Sequence, residues 1–84
     1  MEEYLPIGTV VTLVGGEKKI MIYGRKQIQS GTNKKWDYVA CLYPEGNISE
    51  KYTVFFNKTE IEKVYFVGYV DEEEIVTREL LKKL

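Results

Sequence analysis

The sequence predicts a mainly β domain with one C-terminal helix, and three observations carry that reading. Apolar and β-branched residues fall in short runs, those runs are bounded by Gly, Pro and Asn, and the segment after Val70 changes to helical spacing behind a block of acids. With 84 residues, 44% of them hydrophobic, the chain has material for one small core. The expected organisation is therefore a single domain over residues 1–84, strand-rich from 5 to 70 and helical from 71 to 84. Five strands with a helical turn before the last suggest a small antiparallel SH3-like barrel or curved sheet, with an open α+β sheet as the alternative.

Thr9 to Val14 is dense in β-branched residues and stops at Gly15-Gly16, which allow the positive φ of a tight turn. The return strand, about Lys19 to Arg25, sets Ile20 and Ile22 on one face and Met21 and Tyr23 on the other. Polar Gln27 to Lys35 reads as the longest loop. A third strand from Asp37 to Tyr43 ends at Pro44, which has no N–H for a ladder, and a fourth covers Tyr52 to Phe56. Asn57 and Glu60 have capping-box spacing, so a short helical turn is expected over Thr59 to Glu62. The nearly unbroken apolar run Val64 to Val70 reads as the most central strand. Predicted core residues are Val11, Leu13, Ile20, Ile22, Val39, Cys41, Val54, Val64 and Phe66.

Asp71 and Glu74 repeat the capping box, and acids at the start with Lys82 and Lys83 at the end suit a helix dipole. Val76, Leu80, Leu81 and Leu84 gather into one stripe, with Ile75 outside it. A helix of this length is marginal alone, so the stripe must pack on something. The expectation is that Val76 docks on the sheet while Leu81 and Leu84 stay free for a partner or a second copy.

The chemistry is narrow. Histidine is absent, which removes the commonest general base and metal ligand, and with it any Ser–His–Asp or Cys–His arrangement. Glu60 and Glu62 diverge on a helical turn, and Asp71 to Glu74 lack the glycine-turned spacing of a calcium loop. Gly15-Gly16-Glu17-Lys18-Lys19 lacks the spacing of a phosphate-binding loop. Cys41, the one cysteine, reads as a buried inert thiol. No catalytic residue, cofactor or metal is expected, and the chain does not read as an enzyme. An acidic start and the lack of a long apolar run point to a cytoplasmic protein that makes no membrane contact.

Binding residues are easier to nominate. An aromatic-rich strand running into Pro44-Glu45-Gly46-Asn47 suggests a recognition edge, on which Trp36, Tyr38, Tyr43 and Glu45 are the candidate partner-binding residues, together with Leu81 and Leu84 on the helix. Between Lys18 and Lys35 every ionic residue is basic, and with Tyr23 and Trp36 interleaved this segment has the character of a single-stranded nucleic-acid surface. The net charge of −1 argues against general attraction to nucleic acid.

Tyr4-Leu5-Pro6-Ile7-Gly8-Thr9-Val10-Val11, Gly15-Gly16, Gly24-Arg25, Trp36-Asp37-Tyr38, Tyr43-Pro44-Glu45-Gly46-Asn47, Phe55-Phe56-Asn57 and Ile61 to Tyr69 together resemble the domain of unknown function family numbered 4176. The resemblance covers nearly the whole chain in order and spacing. It implies a small Gram-positive bacterial protein from the neighbourhood of type VII secretion and its LXG-type toxins. The role it implies is that of an accessory or chaperone-like factor whose partner is an exported toxin or its targeting factor. It supplies no catalytic residue.

Overall fold

The computed structural model describes residues 3–84; Met1 and Glu2 of the expected 1–84 domain lie outside the described residues. Five strands, β1 (Val10–Leu13), β2 (Ile20–Gln29), β3 (Lys34–Leu42), β4 (Val54–Phe56) and β5 (Ile61–Phe66), are followed by the helix α1 (Glu72–Lys82). Two short 3₁₀ turns, Glu50–Tyr52 and Lys58–Glu60, flank β4. The strands form one antiparallel sheet in the order β4-β3-β2-β1-β5. The edge strands β4 and β5 do not pair with each other, so the mainly β class holds with the sheet open.

Local signals account for the turns and caps. Gly15 takes φ +85° between β1 and β2, and Gly16 N–H donates to the Leu13 carbonyl at 2.9 Å. At the second 3₁₀ turn Asn57 N–H donates to Glu60 Oε1 at 2.7 Å, as the capping spacing predicts. Asn57 Oδ1 also accepts Asp37 N–H, and Asp37 Oδ2 accepts Lys58 N–H, which ties the turn to β3. Asp71 caps α1 by accepting Glu74 N–H at 3.0 Å.

The core lies on one face of the sheet. Val11, Ile20, Ile22, Tyr38, Ala40 and Phe56 are buried there under Tyr4, with Leu5, Leu13, Leu42, Val54, Ile61 and Leu81 packed against them. Tyr4 meets the Tyr38 ring edge-on at 5.8 Å, and Tyr38 lies 5.3 Å from Phe56. Each such side chain contributes roughly 1.5–3 kcal/mol of burial. Val39 and Cys41 are also buried, on the opposite face.

Three expectations are corrected here. The segment read as the longest loop is mostly a ribbon: β2 and β3 stay paired out to Gln29 and Lys34, because cross-strand bonding does not require apolar side chains. Of the run read as the central strand, Val64 to Val70, only Val64 to Phe66 belong to a strand, the edge strand β5 bonded only to β1; Val67 to Val70 lie beyond it, and Val64 and Phe66 are 40% and 62% exposed instead of buried. The third concerns α1. Its helix docks through Glu74, Thr77, Arg78 and Leu81, while Val76, Leu80 and Leu84 face solvent.

The reason for that orientation is ionic. Arg25 on β2 donates to both oxygens of Glu74, with the Nη2–Oε1 bond at 3.0 Å, and the two side chains are only 7% and 10% exposed. Arg25 also donates to the Leu5 carbonyl, and Arg78 Nε donates to Glu74 Oε2 at 2.9 Å. A buried guanidinium needs such a partner far more than an exposed leucine needs cover. The helix therefore turns Glu74 and Arg78 inward beside Leu81.

Candidate docking surfaces

The six residues nominated from sequence do not form one edge. Tyr38 lies in the core with its hydroxyl accepting Leu5 N–H at 2.9 Å, and burial pushes the phenol above its ordinary value. It is not a surface residue, because β4 pairs along Tyr38 to Ala40 and leaves no free rim there. Leu81 is likewise packed on the core. The remaining four separate to the two ends of β3.

At the first end, Trp36 and Leu84 line a cleft of about 290 Å³ with Lys26, Gln27, Ile28, Lys35 and Asp37. Trp36 Nε1 donates to Gln29 Oε1 at 3.2 Å, its ring lies 6.3 Å from that of Phe55, and the Lys34 ammonium sits 4.3 Å from it. Lys26 holds a positive φ of 54° and reaches the Leu84 carbonyl at 3.2 Å. Sequence reasoning named Trp36 and Leu84 separately; the structure brings them together.

At the other end, Tyr43 borders an open hollow of about 460 Å³ on the outer sheet face, lined by Gly8, Val10, Lys19, Met21, Tyr65 and Phe66. The register explains the grouping. Val10 is opposite both Met21 and Phe66, so the three side chains share a face, and Tyr43 N–H bonds the Lys19 carbonyl beside them. Tyr65 lies between two cations, with Lys19 at 4.9 Å and Lys63 at 4.7 Å from its ring centre. Glu45, on the adjoining turn, is held by Lys18 at 2.8 Å, and that bond lowers its carboxyl below the ordinary value.

The sequence reading missed Lys19, Met21, Tyr65 and Phe66 as walls of a surface hollow and buried Val10 as its floor. Val64 to Val70 looked like buried strand, and only the pairing of β5 shows that Val64 to Phe66 lie on the sheet edge. Among the described residues no group of three or more His, Cys, Asp or Glu side chains is placed to hold a metal ion, and no helix is long and apolar enough to cross a membrane.

The sequence matches the family described as Domain of unknown function (DUF4176) over residues 4–77. The chain belongs to the DUF4176 family. That span takes in every strand and the first half of α1, so the hollow and most of the Trp36 cleft are built from the family's own region. Neither curated proteins nor solved structures include a match to this DUF4176 chain.

Proposed function

We propose that this DUF4176 protein is a non-catalytic protein-binding factor whose partner docks in the hollow between Val10, Met21, Tyr43, Tyr65 and Phe66. One observation supports the reading above the rest: aromatic and apolar side chains line an open concavity beside cationic Lys19 and Lys63. Such a surface suits an apolar partner side chain with a carboxylate next to it. The family resemblance extends the proposal to an accessory or chaperone-like role for a protein exported by type VII secretion, acting in the cytoplasm.

A partner captured from a cell extract should stay bound at high salt, because apolar docking is weakly screened, and should be lost with Met21→Glu. Retention by a folded Met21→Glu protein would overturn the hollow as the site. The second reading is single-stranded nucleic acid on the Trp36 cleft, favoured by Lys26, Lys34 and Lys35 around that ring. It predicts binding to an oligonucleotide that falls steeply with salt. Two of the basic residues in the 18–35 segment are already engaged, Lys18 by Glu45 and Arg25 by Glu74, which weakens this second reading.

A further inference from the structure

An amphipathic helix ordinarily turns its apolar side to the core, yet α1 does the reverse. Its inner side is held by the Arg25–Glu74–Arg78 group, by Lys82 on Glu3 at 3.2 Å and by Leu81. Val76 and Leu80, one turn apart, line its outer side, 59% and 57% exposed, while Leu84 lies beyond the helix end at the Trp36 cleft. No other segment among the described residues covers them. Exposed apolar side chains in a row on one helix mark a contact surface.

The charges around that row identify the occupant. Glu73 lies three residues before Val76, and Lys83 lies three after Leu80, so an acid and a base bracket the stripe at opposite ends of one helix. We infer that α1 is a self-association surface on which a second copy of this chain packs antiparallel about a two-fold axis. Centred on residue 78, that packing sets Val76 of one copy beside Leu80 of the other, twice, and Glu73 beside Lys83, twice. A parallel arrangement would put like charges together. A membrane surface fits poorly, because exposed Glu72, Glu73 and Glu79 would face anionic headgroups. The stripe is short, so the dimer is weak and concentration-dependent.

Sedimentation equilibrium on the full chain from about 10 µM to about 1 mM tests this, with the hollow untouched. The expected result is a monomer–dimer equilibrium that Leu80→Glu weakens at least about tenfold. Helical circular dichroism confirms that the variant stays folded, and Val76→Ser serves as the second variant. Glu73→Lys or Lys83→Glu alone should weaken association several-fold, and the two together should restore it to within about twofold. A chain that is monomeric throughout overturns the inference, as does a dimer indifferent to Leu80→Glu or a double reversal that fails to restore. Binding of a monomeric chain to phosphatidylglycerol vesicles through the stripe would overturn it in favour of lipid. None of these results bears on the partner in the hollow, which is scored by Met21→Glu.

Discussion

The Tyr38 hydroxyl and the Leu5 N–H are paired across 33 residues of sequence, and the ring beneath them is fully buried. Tyr38→Phe keeps the ring and removes the acceptor, which strands a partly buried donor at a cost of about 1–3 kcal/mol. Urea unfolding should show that loss; equal midpoints for the two proteins would mean that another acceptor takes over. Gly68 shows a different constraint. A Cβ built there would run into the Ile7 carbonyl and come within 3.1 Å of Thr9 N, and its own N–H donates to Thr9 Oγ1 at 3.0 Å. Gly68→Ala must therefore push β5's exit away from the start of β1, and a loss of about 1–3 kcal/mol is expected in the same assay. An unchanged midpoint would show that the crossing has slack.

At the scale of elements, α1 is attached by charge, and acid should release it. Burial raises the Glu74 carboxyl, but hydrogen bonds from Arg25 and Arg78 outweigh that and leave it below the ordinary value. A carboxyl lowered in the folded state contributes stability that is fully present above its unfolded value. That stability is lost as the pH falls through the lower, folded one. Helix amide protection should thus hold at neutral pH and fall well into the acid range, and Glu74→Ala should cost about 3 kcal/mol at neutral pH by leaving Arg25 buried without its partner. Protection that is flat down to the folded carboxyl range would refute the ionic attachment. The elements themselves were largely legible: β1 and its glycine turn, the Asn57–Glu60 turn and the Asp71 cap all rest on residues within a few positions of each other. The helix's orientation was not, since it depends on Arg25 and Glu74, which are 49 residues apart and have no local signature. For the same reason Val64 to Phe66 could be read as strand but not as edge, the strand was carried too far, to Val70, and Tyr38 could be read as aromatic strand but not as core. Of the site, Trp36, Tyr43 and Leu84 were legible as exposed or half-exposed binding types, and the hollow's other walls needed the register.

For the whole molecule, both ends of the described chain converge on one strand. Arg25 binds the Leu5 carbonyl from one side and Glu74 from the other, so β2 fastens the N-terminal segment and the helix at once. A fragment of residues 1–57 would keep β1 to β4 but lose β5, Ile61, Leu81 and the partner of Arg25. It should show no cooperative thermal transition; a sharp melt would mean that the four-stranded half is self-sufficient.

Because β1 sits between β2 and β5, it is completed at two different times. Its pairing with β2 needs only a short hairpin, whereas bringing Val11 against Val64 encloses most of the chain. Closing a loop of that span costs about 3.5 kcal/mol in chain entropy before any contact is made. During synthesis the first strand must therefore wait, with one side unbonded, until Ile61–Phe66 has been made. The slowest step of folding is expected to be the arrival of β5, and its departure the first step of unfolding.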